Sequence, residues 1–341
     1  MGAASEMGEE GRILLRVQGL SVSFEREGGG VFGAVRDVSF EVGRGETVAL
    51  VGESGSGKSV TALSVLRLLA TPPAVYEGGR VEWLGSGTGL GMGRGSGIEL
   101  LGAREEELER VRGGEIAMIF QEPMTSLNPV MTVGEQIMEA VRLHGEAGER
   151  AGKGVRAAAI RAMERVGIRE AAERIHSYPH EFSGGMRQRV MIAMALACRS
   201  KLLIADEPTT ALDVTVQERI LDVITGLKRE SGLGVLLITH DLGLVADRAE
   251  RVCVMYGGRV VEYGRTTDVL RTPLHPYTRA LLACRPQLGG RVERLATVGE
   301  VMSQGANREL AVGGERRRVW WGEGEGRMWE VGEGRGVCVE E

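Results

Sequence analysis

The stretch GESGSGKS, Gly52 to Ser59, limits what this chain can fold into more than any other part of its sequence. It fits the pattern G-x-x-x-x-G-K-[ST] and directly follows TVALV, a short apolar run of the kind that forms a buried strand. Directly after it comes VTALSVLRLLA, which has helical spacing. In such a strand, loop and helix, the glycines let backbone N–H groups turn inward around phosphate oxygens, and the helix start adds partial positive charge. Gly52, Glu53, Ser54, Gly55, Ser56, Gly57, Lys58, Ser59 and Val60 are therefore candidate contacts for a nucleoside triphosphate. Lys58 would reach the β- and γ-phosphates, and the Ser59 hydroxyl would be offered to Mg²⁺.

The remaining sequence reads as a mixed α/β protein. ILLRVQGLSVSFE and VRDVSFEVG alternate as antiparallel strands do. KLLIADEP and GVLLITHD are apolar runs with polar ends, separated by the helix-like TVQERILDVITGLKRE. Strand, helix, strand predicts a parallel sheet whose functional groups gather at the strands' C-terminal ends. From about 132 to 177, Ala, Glu and Arg with apolar residues three and four apart predict a helical insert. RVCVMYGGRVVEYG predicts a hairpin turning at Gly257-Gly258. Glycine stands at every odd position from 85 to 97, which predicts a surface linker; a dinucleotide fingerprint needs glycines at offsets zero, two and five. From about 286 the periodicity fades, and the sequence assigns no fold there.

Composition narrows the partners. With 42 Lys+Arg against 47 Asp+Glu and a net charge of -5, the chain has a poor footprint for general nucleic-acid binding. It has no run of eighteen apolar residues, and MGAASEMGEEGR lacks the basic and apolar parts of a signal peptide, so a cytoplasmic chain is expected. Cys198, Cys253, Cys284 and Cys338 form no CxxC and read as ordinary thiols.

Two further stretches carry chemistry. LLIADEP brings Asp206 to the end of an apolar strand, where a carboxylate can hold Mg²⁺ through its water shell. Glu207 follows, placed to orient or deprotonate an attacking water, a role worth on the order of 10²- to 10⁴-fold in rate. HEFSGGMRQRV, residues 180 to 190, has one hydroxyl, two adjacent glycines and two arginines with the character of a helix start, but no obvious nucleophile, metal ligand or general base. Arg187 and Arg189 read as packing or salt-bridge residues on the helix that follows.

Six motifs now stand in one order: GESGSGKS, MIFQEP with Gln121, FSGGMRQ, LLIADE, ALD at 211 to 213, and LLITHD with His240. Over roughly residues 12 to 285 the chain resembles the ATP-binding cassette (ABC) ATPases. The resemblance implies a P-loop NTPase core with an antiparallel β subdomain and an inserted α-helical subdomain. Residues 1–11 would be a flexible N-terminus and 12–270 the cassette, with helices inserted at about 132–190; residues 271–341 would be a divergent, partly disordered C-terminal extension. ATP and Mg²⁺ are the implied ligands. Gln121 would touch Mg²⁺ or the attacking water, and His240 would bond the γ-phosphate. Phe24 matches the aromatic that stacks on adenine, and Asp213 a residue acting between subunits; by local sequence alone Phe24 is equally a core residue and Asp213 a helix cap.

Within the cassettes, the text around Gln121 and the segment HPYTRALL are similar to the ATPases of oligopeptide and dipeptide importers, whose relatives also handle nickel and glutathione. That likeness implies a subunit powering solute uptake from the cytoplasmic face of the inner membrane. Its implied partners are a second ATPase subunit, identical or similar, two integral membrane permeases and, indirectly, an extracytoplasmic solute-binding protein, with no nucleic acid. QEPMTSLNPVMTVGEQI would line a groove for a permease helix, and Ser183, Gly184 and Gly185 would form a second phosphate cradle at a helix start, closing over the γ-phosphate held by the other ATPase subunit. A soluble cassette acting on nucleic acid or the ribosome is the competing reading; a single cassette, a short insert and an acidic balance weigh against it. The C-terminal VWWGEGEGRMWEVGEGRGVCVEE lacks the spaced cysteines of the importers' C-terminal region, so no iron–sulfur cluster is carried over. Trp320, Trp321 and Trp329 are expected to pack on the core.

Overall fold

The computed structural model describes residues 13–85, 97–121, 126–145, 148–209, 213–284, 309–312, 315–320, 325–332 and 334–340. The expected N-terminal tail, most of the glycine-alternating stretch, Ala211, Leu212 and Trp321 lie outside these residues.

Alternating burial makes β1 (Ile13–Glu25) and β2 (Val31–Gly43) an antiparallel pair, with Val17 opposite Phe40 and Phe24 opposite Phe32. The chain then enters β3 (Thr47–Val51), buried at every residue, and α1 (Lys58–Val65). β4 (Ala74–Trp83) and β5 (Ile98–Glu99) return to the first sheet, whose order is β2-β1-β4-β5. α1 stops well before the helical spacing of VLRLLA runs out. Arg67 takes a left-handed φ of 49°, the Arg67 N–H bonds Ser64 O, and the Leu68 N–H bonds Leu63 O, which is a Schellman ending without glycine. Tertiary contacts hold it there: Arg67 Nη1 donates to Ala103 O at 2.6 Å, and Arg112 Nη2 donates to Arg67 O at 3.1 Å.

After α2 (Glu105–Val111) comes β6 (Ile116–Ile119), then the helical insert: α3 (Val133–His144), α4 (Gly152–Arg165), α5 (Ala171–Arg174) and α6 (Gly184–Ala197). Thr132 starts α3 with a capping box, its hydroxyl accepting from the Glu135 N–H while the Glu135 carboxylate accepts from the Thr132 N–H. β7 (Leu202–Asp206), α7 (Val214–Ser231) and β8 (Gly234–Thr239) follow, then α8 (Leu242–Ala246), β9 (Arg251–Tyr256) and β10 (Arg259–Arg265). β9, β3, β8, β7 and β6 are parallel neighbours, as the strand-helix-strand pattern predicts. Their apolar runs are continuous because both faces are covered. Leu50, Ile204 and Ile238 pack toward the antiparallel sheet and α1, while Ala205 and Leu237 pack with the helical insert. The β9-β10 hairpin turns on Gly257 and Gly258, both at positive φ (56° and 83°), as a tight hairpin turn requires.

The C-terminal part joins this sheet. Beyond α9 (Thr266–Arg271) and α10 (Pro276–Ala283), β11 (Glu309–Val312) and β12 (Glu315–Arg318) form a separate ribbon. β13 (Gly326–Gly332) pairs with β14 (Arg335–Glu340), and β14 pairs antiparallel with β10, placing Glu262 opposite Val337. The eight-stranded order is β13-β14-β10-β9-β3-β8-β7-β6. Trp320 is fully buried beside Tyr256, and Trp329 is half-buried against a small cluster that includes Leu310 and Val337.

Candidate nucleotide-binding site

The loop from β3 to α1 has two glycines that nothing larger could replace. A Cβ on Gly52 would stand 2.3 Å from Met255 O, and one on Gly57, whose φ is 101°, would stand 2.6 Å from Ala34 O. The neighbouring strands therefore set the path of the loop. Lys58 is buried, and its Nζ donates to Gly52 O at 2.7 Å and Glu53 O at 2.8 Å. Burial pushes the Lys58 pKa down, against the pull of the Glu207, Asp206 and Glu53 carboxylates. An ammonium held this way, with carbonyls as its main partners, suits an incoming phosphate.

The end of β7 presents Asp206, which is buried and accepts a hydrogen bond from Ser59 Oγ at 3.1 Å. Burial raises the Asp206 pKa and the Glu207 charge adds to this, while the Ser59 bond and Lys58 oppose it. Two adjacent oxygen donors of this kind fit Mg²⁺, which takes one or two protein ligands and completes its shell with phosphate and water. Among the described residues no cluster of three or more His, Cys, Asp or Glu side chains could hold a metal ion by itself.

Glu207 has a left-handed φ of 45°, and its N–H bonds Ile238 O at 3.0 Å. The cross-strand bond helps hold the residue in a conformation that costs roughly 1–3 kcal/mol outside glycine. The turn aims the carboxylate between two neighbours: Gln121 Nε2 donates to Glu207 Oε2 at 3.3 Å, and His240 Nδ1 lies 3.4 Å from Glu207 Oε1. Gln121 follows β6 and His240 follows β8, so three parallel strands deliver the three side chains to one edge.

The other expected site residues stand elsewhere. Ser183 caps α6, its hydroxyl accepting from the Met186 N–H at 3.4 Å; Ser183 and Gly184 are exposed and Gly185 is half-buried. No hydrogen bond or ion pair among the described residues joins this helix start to the loop at Gly52–Ser59. Arg187 and Arg189 are packing residues: Arg187 Nε donates to Pro179 O and Arg189 Nη1 to Gly167 O. Phe24 is half-buried, and its cross-strand neighbour Phe32, absent from the sequence-based site, is 45% exposed beneath the Arg26 guanidinium at 5.2 Å. Only strand register could have found Phe32. Asp213 is exposed and caps α7, accepting from the Val216 N–H at 2.9 Å.

Residues 35–210 match the family described as ABC transporter. The chain belongs to that family. Residues 261–309 also match the region described as oligopeptide/dipeptide transporter, C-terminal region. The glutathione import ATP-binding protein GsiA of Salmonella typhimurium is 53% identical over 281 residues, covering 82% of this chain and 43% of that protein. The chain thus spans less than half the length of that relative. A Brucella melitensis protein, provisionally named as a peptide import ATP-binding protein, is 50% identical over 280 residues, covering 82% of this chain and 80% of its own length. Among solved structures, a dimeric post-hydrolysis ATP-binding cassette bound to ADP and Pi superposes with a TM-score of 0.63 at 25% identity, covering 74% of this chain and 99% of the other. An ATP-binding subunit of an ABC transporter gives 0.58 at 28% identity, covering 76% and 92%. The chain thus has the P-loop cassette fold, and its candidate nucleotide-binding residues lie at the edge formed by β3, β6, β7 and β8.

Proposed function

We propose that this chain is the ATP-hydrolysing subunit of an ABC importer for peptides or related small solutes. The observation that carries the reading is the convergence of Gln121, Glu207 and His240 beside the Ser59–Asp206 pair. The names of the relatives and the match to the peptide-transporter C-terminal region support the cargo class; glutathione is itself a small peptide.

The chain's own residues divide the work. Lys58 leaves its loop carbonyls for the β- and γ-phosphates, and the loop N–H groups from Gly55 to Ser59 line the rest of the cradle. Ser59, Asp206 and Gln121 would hold Mg²⁺, which when bound offsets phosphate charge. Glu207 orients the attacking water and takes its proton, Gln121 positions Glu207 and the water, and His240 bonds the γ-phosphate. Phe24 stacks on adenine.

Ser183, Gly184 and Gly185, exposed at a helix start, close over the γ-phosphate held by a second ATPase subunit, with Asp213 at the same junction. An apolar groove of about 510 Å³ lies beside the end of β6 and α6, lined by residues including Leu68, Met118, Phe120, Met191 and Met194. It suits a helix from one of two integral membrane permeases, which an extracytoplasmic binding protein would supply; no nucleic acid takes part. No described helix is long and apolar enough to cross a membrane. The chain would act as a peripheral subunit at the cytoplasmic face.

Glu207→Gln tests the reading. It should keep ATP binding and lower ATP hydrolysis by about 10²- to 10⁴-fold. Turnover near wild type would refute the role of Glu207 and with it the proposed site.

A further inference from the structure

The segment HPYTRALL marks the C-terminal region, yet its tyrosine reaches the phosphate loop. We propose that Tyr277 is a positioning residue for the loop Gly52–Ser59, mounted by the C-terminal segment so that ATP affinity depends on that mount. The proposal rests on the nucleotide-binding reading of the loop.

Tyr277 is fully buried in the first turn of α10, and its hydroxyl accepts a hydrogen bond from the Glu53 N–H at 2.9 Å. Glu53 is thereby held at both ends, because its carbonyl accepts from Lys58 Nζ. ATP draws Lys58 away from that carbonyl, which still accepts from the Ser56 N–H within the loop at 3.2 Å; the Tyr277 bond is the hold on Glu53 that comes from the C-terminal segment. A loop anchored before and after binding loses less freedom when phosphate arrives.

The ring cannot turn away without disturbing the C-terminal part. It packs on Tyr256 with centroids 4.5 Å apart, and Tyr256 meets Trp320 edge-on at 6.4 Å. His275 caps α10: its Nδ1 accepts from the Tyr277 N–H at 3.1 Å, which leaves Nε2 to donate to Trp320 O at 2.9 Å. Glu262, fully buried, accepts from the Leu274 and His275 N–H groups at 2.9 Å each and pairs with Arg335 of β14 at 2.9 Å. Trp320 and Arg335 thus bind the tyrosine's helix to the chain's last strands. Burial pushes the Tyr277 pKa up, so the hydroxyl stays protonated through the neutral range.

Tyr277→Phe keeps the ring and removes the acceptor. Losing one neutral hydrogen bond should weaken ATP binding about fivefold. The KM for ATP should rise by a similar factor with kcat little changed, because Gln121, Glu207 and His240 are untouched; a merely structural role would not divide in that way. The test titrates the purified full chain with ATP against a fluorescent ATP analogue, for wild type, Tyr277→Phe and Lys58→Ala. Amide exchange at Glu53 is followed in parallel. Weaker binding together with faster Glu53 exchange in Tyr277→Phe supports the proposal. Unchanged affinity, or unchanged exchange, overturns it while Lys58→Ala still abolishes binding. Fast Glu53 exchange in the wild-type chain, with or without ATP, overturns it without any variant. Retained ATP binding by Lys58→Ala would instead refute the phosphate-loop reading itself.

Discussion

Lowering the pH should loosen the C-terminal mount through a single histidine. His275 is fully buried, and its pKa is pushed down to about 4, mainly by burial, with the Arg279 charge adding and the Trp320 carbonyl opposing. In the unfolded chain the imidazole titrates near 6.5. Between these two values the unfolded chain binds a proton that the folded chain refuses, so stability falls as pH falls from 6.5 through 4. One pKa unit corresponds to about 1.4 kcal/mol, so His275 alone should cost about 2 kcal/mol between pH 7 and pH 5, and about 3 kcal/mol by pH 4. The measurement is urea unfolding of the wild type and His275→Asn at pH 7 and pH 5. Asparagine keeps a capping oxygen for α10 and cannot titrate. His275→Asn will be less stable at pH 7, but its stability should fall by about 2 kcal/mol less than that of wild type on acidification. Equal losses in the two proteins would refute the assignment of a neutral, buried imidazole.

Two substitutions at the loop and the helix start extend the test. Gly57→Ala forces a Cβ to within 2.6 Å of Ala34 O at a φ of 101°, so ATP affinity should fall by about tenfold or more in the same titration. Affinity like that of wild type would mean the loop path is not set by β2. Ser183→Arg places a long cation at the exposed start of α6; it should spare ATP binding by the single chain and abolish ATP-dependent dimerisation, read by light scattering. A variant that dimerises normally with ATP would remove the second cradle from the mechanism.

Much of the site was legible because its signals are local. GESGSGKS needs only the strand before it and the helix after it, and Asp206 and Glu207 follow from an apolar run with a polar end. The parallel order of β7 and β8 followed from the helix between them, and the β9-β10 hairpin from two adjacent glycines. Helix ends were less legible. Arg67 ends α1 in a left-handed conformation that its sequence does not announce, because Ala103 and Arg112 supply the bonds. Phe32 escaped notice for a similar reason: its exposure depends on register with Phe24.

Sequence by itself determined which residue types gather at the candidate site, since each motif closes over a few neighbouring residues whose backbone geometry is set locally. Tertiary structure alone decided how they are aimed. The left-handed turn at Glu207 is braced by β8, and the loop at Gly52 and Gly57 is confined by carbonyls from β9 and β2. Glu53 is anchored by a tyrosine 224 residues away. β14 joins the core sheet through β10, although its own sequence shows no such partner. Contacts of that range depend on which faces are left to bury once the local elements have formed, and no window of sequence contains both sides of them.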